Sequence, residues 1–291
     1  MIKIKVPATS ANLGPGFDCL GLALSLYNEF SFEKSDEFRF ENMPAAYSNV
    51  NNLVVQSSLK TYEYLNIKPI CYKMSTIDNV PVARGLGSSA TCIVAGIIAA
   101  SYFANANLTK NEIINIGTQI EGHPDNVAPA VLGSLVSGVN GKNVLYNKYE
   151  ISNDLIFTVV IPNFKVKTHD ARGVLPKELS YSDVIYSMSR AINIPKCLET
   201  GNIEMLYEML DDKLHQPYRF KLIKDSEKYQ KYSKDNKIPF CISGSGSTML
   251  FISNKSIKDK LVDINKEYQV LELKIDKEGP VIYEKWFPSC T

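Results

Sequence analysis

Pro81-Val-Ala-Arg-Gly-Leu-Gly-Ser-Ser-Ala90 runs directly into the apolar stretch Thr91-Cys-Ile-Val-Ala-Gly-Ile-Ile-Ala-Ala100. Two glycines and two serines ahead of an apolar run predict a tight turn feeding a buried helix. Free backbone N–H groups collect at such a place, together with the positive end of a helix dipole, so it favours an anion and above all a phosphate. Several patterns share these residues. A P-loop needs lysine and then serine or threonine after its second glycine, which is missing here. Gly85–Ala90 does match G-x-G-x-x-A. A dinucleotide fold would also want a buried strand before it and an acid about 20 positions on. Asp78-Asn-Val-Pro precedes it instead, and 103–111 holds no acid. A protein-kinase glycine loop leads into a strand, not a helix. A plain helix-packing turn remains the alternative, and the paired serine hydroxyls, small enough to approach phosphate or a Mg2+ it carries, weigh against it.

Working outward, residues 2–6, 20–32 and 37–40 alternate or cluster like strands, and 52–65 has helical spacing. A strand is expected at 70–75. Thr109-Lys-Asn-Glu112 is a capping box that opens a helix reaching about Glu121. Glu121-Gly-His-Pro-Asp-Asn126 reads as a loop leading into 127–132, with strands at 134–139 and 155–161. Beyond it, helical patterns cover 183–199, 202–214, 225–235 and 256–267, and strands 239–243, 248–253 and 269–275. Strands followed by helices, without a regular alternation, indicate an α+β fold rather than a doubly wound parallel sheet. The change of texture near 150 divides the chain into 1–150 and 151–291. No linker or repeat marks the division, so the two lobes are expected to share one interface.

Two further glycine segments stand out. Pro7-Ala-Thr-Ser-Ala-Asn-Leu-Gly-Pro-Gly-Phe-Asp18 places Asn12 and Asp18 in a glycine–proline turn, and Ser243-Gly-Ser-Gly-Ser-Thr248 sits between apolar strand residues, where glycine signals a close backbone approach. Turn chemistry alone accounts for either one. His123, Asp125 and Asn126 form a polar group beside Glu121. The chain has only five arginines among 32 basic residues, so lysine is its ordinary surface cation. Arg172 and Arg219, near prolines in mixed apolar sequence, are therefore notable; a guanidinium fork reads a carboxylate in a way that lysine does not.

Taken in order, P-x-T-S-A-N-L-G-x-G-F-D, P-x-x-x-G-L-G-S-S-A and G-S-G-S-T resemble the three motifs of the GHMP small-molecule kinases. Thr9–Asp18, His123-Pro-Asp-Asn-Val-Ala-Pro-Ala130 and Arg172-Gly-Val-Leu-Pro176 are similar to the branch that phosphorylates homoserine. The resemblance covers almost the whole chain. It implies a two-lobed fold, with an N-terminal lobe like the second domain of ribosomal protein S5 and a ferredoxin-like C-terminal lobe. It implies ATP and Mg2+ as cofactors, L-homoserine as substrate, and a step of threonine synthesis. On this resemblance Pro81, Val82, Ala83, Arg84, Gly85, Leu86, Gly87, Ser88, Ser89 and Ala90 form the ATP-phosphate loop. Ser89 and Glu121 hold Mg2+. Asn12, Asp18, His123, Arg172 and Arg219 bind substrate, and Asp125 stands where relatives carry a general base. Another small alcohol, a metabolite sensor on the same fold, and, on the weaker G-x-G-x-x-A pattern, a dinucleotide-dependent oxidoreductase are the competing readings.

Bulk properties are consistent with this. The 291 residues are 45% hydrophobic and 22% charged with a net charge of +1, which gives no field for nucleic acid or a membrane surface. Cys19, Cys71, Cys92, Cys197, Cys241 and Cys290 are dispersed, and with three histidines a zinc site is not expected. The N-terminus reads as a strand rather than a signal peptide, and the longest apolar run is too short to span a bilayer. The protein is expected to be soluble and cytoplasmic, with room for a homodimer.

Overall fold

The computed structural model describes residues 1–284; Cys290 lies outside them. The fold is mixed α+β, as the order of patterns predicts. The first sheet has seven strands: β1 (Ile2–Ala11), β2 (Leu20–Lys34), β3 (Arg39–Glu41), β4 (Tyr72–Ile77), β5 (Leu135–Val139), β6 (Leu145–Tyr149) and β11 (Val281–Glu284). Its main path runs β11–β1–β2–β4–β3, and β5 joins the start of β2 and carries β6. Every pairing is antiparallel except β3 with β4. The edge strand β11 pairs with β1, so the chain returns to its first sheet after building the second.

One face of this sheet carries α1 (Leu53–Tyr64), α2 (Ser88–Phe103), α3 (Lys110–Glu121) and α4 (Pro124–Leu132). Phe30, Phe32, Tyr72 and Met74 pack there against Ile93, Val94, Ile97, Ile114 and Val131. Helix α2 is apolar on nearly every side because it lies at the centre of this layer, with Ala90 through Ser101 almost entirely buried. The capping box at α3 forms as the sequence predicts. Thr109 Oγ1 accepts from the Glu112 N–H, and Glu112 Oε2 accepts from the Thr109 N–H at 2.8 Å.

The second sheet is antiparallel, in the order β10 (Gln269–Leu273), β7 (Ile156–Ile161), β9 (Met249–Ser253) and β8 (Phe240–Ile242). Its period of two separates two cores. Phe157, Val159, Leu250 and Ile252 face Leu22, Leu24 and Leu135 of the first lobe. Val160, Met249 and Phe251 face the other way, against Tyr229 of α10 (Ser226–Asn236) and Leu261 of α11 (Lys258–Ile264). The lobes therefore share a continuous apolar core.

Between β7 and β8 the chain forms short helices ahead of α10: α5 (Thr168–Gly173), α6 (Tyr181–Ala191), α7 (Ile194–Thr200), α8 (Ile203–Met209) and α9 (Gln216–Arg219). The helix expected over 183–199 is broken into α6 and α7, where Pro195 in the first turn of α7 cannot continue the preceding ladder. The pattern over 202–214 ends at Met209. Residues 121–126 are not all loop: Pro124 opens α4, which puts Asp125 and Asn126 in a helix's first turn. Among the described residues no helix is long and apolar enough to cross a membrane, and the five cysteines among them are unpaired.

Candidate active site

The three glycine segments meet. The end of β1, the loop before α2 and the turn between β8 and β9 are held in contact by backbone groups far apart in sequence. Gly244 N donates to Ala11 O at 3.0 Å, Thr248 N to Arg84 O at 3.0 Å, and Thr9 N to Leu86 O at 3.1 Å. The Ser243 hydroxyl lies 2.8 Å from Ser10 Oγ and donates to Gly85 O at 2.6 Å. A Cβ on Gly85 would fall 2.1 Å from Ser243 O, and Gly85 has a φ of +81°, so both the space and the backbone require glycine there. A buried Asn28 on β2 sets the entry to the loop: Val80 N donates to its Oδ1 at 2.8 Å, and its Nδ2 donates to Thr91 Oγ1 at 2.9 Å.

A cavity of about 360 Å3 opens at this junction. Val82, Ala83, Arg84, Gly85, Gly87, Ser88 and Ser89 line one side of it. Gly87, at φ +68°, is the N-cap of α2, so the first N–H groups of a 16-residue helix are directed at the cavity. Of the ten residues expected in the loop, three stand off. Leu86 and Ala90 are fully buried in the two cores, and Pro81 does not line the space. The Arg84 side chain turns away from an anion, because its Nε and Nη2 donate to the carbonyls of Pro162 and Asn163, both at 3.0 Å. It braces the loop against the second lobe. At the far end of α3, Glu121 Oε2 accepts from Ser89 Oγ at 2.9 Å. Burial raises the Glu121 pKa above the ordinary carboxyl value, against the Ser89 hydrogen bond.

The other side of the cavity is built on α4. His123 is its N-cap and Pro124 its first residue, so Asp125, 2% exposed, lies where the helix dipole favours a carboxylate. Asp125 Oδ1 accepts from His123 Nδ1 and from Asn126 Nδ2, and Asn126 Oδ1 in turn accepts from Thr9 Oγ1 at 2.8 Å. Oδ2 of Asp125 has no hydrogen-bond partner among the described residues. The bond to Asp125 raises the His123 pKa above its ordinary value, against burial. Asp18 and Arg172 form a two-pronged pair, Nη1 to Oδ2 at 3.0 Å and Nη2 to Oδ1 at 2.8 Å. That bond raises the Arg172 pKa.

Arg219, 2% exposed, uses Nε and Nη1 on the carbonyls of Ala171 and Gly244 at 3.1 and 3.2 Å. Burial, and then the charge of Arg172, lower its pKa to about 10. Asn12 lines the cavity. Its Nδ2 donates to Gly244 O at 2.7 Å and its Oδ1 accepts from Asp18 N at 3.0 Å, so it positions Asp18 and keeps one amide hydrogen to spare.

The structure also adds residues that the sequence reading passed over. Thr168 lines the cavity beside Arg172, and the ring of Phe17 lies under both guanidinium groups, 5.4 Å from Arg172 and 4.9 Å from Arg219. Met43, Tyr47, Leu53, Val54 and Cys92 form an apolar end next to the glycine loop. Leu53, Val54 and Cys92 carry only ordinary core patterning in sequence, and Met43 and Tyr47 fall in no pattern. Among the described residues, Asp18, His123 and Asp125 also bring potential metal-ligand atoms within 4.8 Å of one another. Both Asp18 oxygens accept from Arg172 and His123 Nδ1 is bonded to Asp125, while on the other side of the cavity Ser89 and Glu121 form a second group of oxygen donors that could hold a hard cation.

Residues 52–134 match the family model described as the GHMP kinases N terminal domain. A homoserine kinase of Clostridium beijerinckii is 40% identical to this chain, the match covering 98% of the chain and 99% of the relative. A homoserine kinase of Clostridium botulinum Type A is 38% identical over 97% of the chain and 98% of the relative. The crystal structure of a homoserine kinase from Cytophaga hutchinsonii superposes with a TM-score of 0.86 at 25% identity, covering 97% of both chains. The cavity thus lies in a fold, and within a sequence, shared end to end with these enzymes, and the chain belongs to the homoserine kinases of the GHMP kinase family.

Proposed function

We propose that this site transfers the γ-phosphoryl group of ATP to the hydroxyl of L-homoserine. The observation that supports this reading most is the single cavity with a phosphate-suited helix end on one side and a matched set of charges on the other. The α2 N-terminus with Gly85, Gly87 and Ser88 would hold the phosphates through backbone N–H groups, with the base against the apolar Met43–Val54 end. The oxygen donors of Ser89 and Glu121 suit Mg2+, a hard cation. When bound there, the ion would neutralise charge on the transferring phosphates.

Homoserine carries a carboxylate, an ammonium and a hydroxyl. Arg172 and Arg219 suit the carboxylate, and Asp18 suits the ammonium. A zwitterion would open the Asp18–Arg172 pair and satisfy both halves, whereas an uncharged alcohol would leave them facing only each other. The open Oδ2 of Asp125 would take the hydroxyl proton. As the substrate oxygen bonds to the γ-phosphorus, the bond to the β-phosphate bridging oxygen breaks and ADP leaves. His123 holds Asp125 from its other oxygen.

An ADP-release assay with MgATP and a panel of homoserine, mevalonate, galactose and shikimate tests the reading. Turnover with homoserine well above the others is expected. Turnover with another member of the panel, and none with homoserine, would assign a different alcohol to the same site.

A further inference from the structure

Behind the substrate end of the cavity lies a buried group that the proposed reaction does not use. His215, the residue before α9, is fully buried, and its two ring nitrogens have different partners. Nε2 lies 2.7 Å from the carbonyl of Gly14, and Nδ1 lies 3.4 Å from Arg219 Nη1. A carbonyl only accepts, so Nε2 carries the proton. A guanidinium only donates, so Nδ1 offers its lone pair. Both constraints select one neutral tautomer. The His215 pKa is lowered to about 4, chiefly by burial, which keeps that form at neutral pH. Asp212 fixes the backbone here by accepting from the N–H groups of Leu214, His215 and Gln216 at 2.7, 2.9 and 2.8 Å. The ring of His215 also stacks on Phe17, with centroids 5.1 Å apart and planes 30° from each other. Phe17 in turn lies beneath both guanidinium groups.

Arg219 has five N–H donors. Three are held, by Ala171 O, Gly244 O and His215 Nδ1. Those on Nη2 have no partner among the described residues. We propose that His215 is a positioning residue: its Nδ1 lone pair and the Phe17 ring it backs fix the Arg219 guanidinium so that Nη2 is presented to the substrate carboxylate. Through Phe17 the same support reaches Arg172. This rests on the homoserine reading, and it predicts an effect on the amino-acid substrate alone.

Asparagine places an oxygen near the position of histidine Nδ1, whereas glutamine places a polar atom near Nε2. His215→Gln therefore loses the acceptor for Arg219 and His215→Asn keeps it. Steady-state kinetics of the wild type and both variants should show KM for homoserine raised roughly tenfold in His215→Gln, with KM for ATP unchanged, since one hydrogen bond to a charged group is removed. His215→Asn should return KM for homoserine to within about threefold of wild type. Parallel increases in both KM values, equal effects of the two variants, or no effect of either would overturn the proposal. If His215→Gln does not fold, Phe17→Leu takes its place. A rise in KM for homoserine alone supports the proposal, and no rise, or a parallel rise for ATP, overturns it. If wild-type enzyme fails to turn over homoserine, the failure lies with the functional reading instead.

Discussion

At the α2 end of the cavity, backbone N–H groups and one hydroxyl–carboxylate pair face the open space. At the α4 end, charged side chains face one another, Arg172 on Asp18 and His123 on Asp125. The difference follows from what each end is fitted to hold. A polyphosphate brings its own charge and, in the proposed reading, a metal. A site for it needs donors that do not have to be neutralised when it is empty, and helix N–H groups meet that requirement. A zwitterionic amino acid brings both signs, so side chains of both signs wait for it, paired with one another until it arrives. The α2 end is consequently rich in glycine at positive φ, and the α4 end is rich in hydrogen bonds.

The sharpest way to break this comparison is to remove chemistry from the α4 end. Asp125→Asn keeps a side-chain oxygen for His123 but cannot take a proton. If the α4 end does more than hold substrate, kcat should fall by about 10²–10⁴ while both KM values change little. A loss within threefold would mean that proton removal needs no base and that positioning against the α2 end is sufficient. The next effect is smaller and concerns binding. Arg172→Ala leaves Asp18 without its partner and the substrate carboxylate without one fork. KM for homoserine should rise about tenfold to a hundredfold, with KM for ATP nearly constant. Equal increases for both substrates would place Arg172 on the phosphates and dissolve the division between the two ends.

The two ends were also unequally legible in the sequence. The α2 end is local: Gly85, Gly87, Ser88 and Ser89 sit in one decapeptide, and the helix they open follows at once, so periodicity and turn chemistry were sufficient. The α4 end is assembled from Asp18, His123, Asp125, Arg172 and Arg219, of which only His123 and Asp125 are connected locally, and there the family resemblance supplies the grouping. Local reading gave the wrong state for Asp125 and Asn126, because Pro124 looked like a loop residue and is in fact the first residue of a helix. Nor does any local pattern show that the Asn12 amide also reaches Gly244 O, 232 positions away, and so ties the first glycine segment to the third. In sequence Phe17 is only the last apolar residue of the first glycine segment. That it supports two arginines depends on α5 and α9 arriving from the other half of the chain, and the strand β11 that closes the first sheet likewise carries no signal of its distant partner.

The smallest expected effect separates stability from function at the α2 end. Burial raises the Glu121 pKa, so the folded protein holds the proton on this carboxyl more tightly than the unfolded chain, whose value is near 4.5. The sign follows: the neutral form stabilises the fold below about 4.5, and that contribution is lost as pH rises through the folded value. Glutamine stays neutral throughout and can still accept from Ser89 Oγ. Thermal unfolding of Glu121→Gln should therefore occur at a slightly higher temperature than wild type at pH 7–8, with the difference closing below about pH 4.5. The same variant should need more Mg2+ for half-maximal turnover, because a carboxylate oxygen has been exchanged for an amide one. A variant less stable at neutral pH would mean that Glu121 is a structural partner of Ser89 first. A variant more stable yet unchanged in its Mg2+ requirement would move the cation away from this pair, toward the phosphates alone, and leave the α2 end with backbone donors as its only means of holding charge.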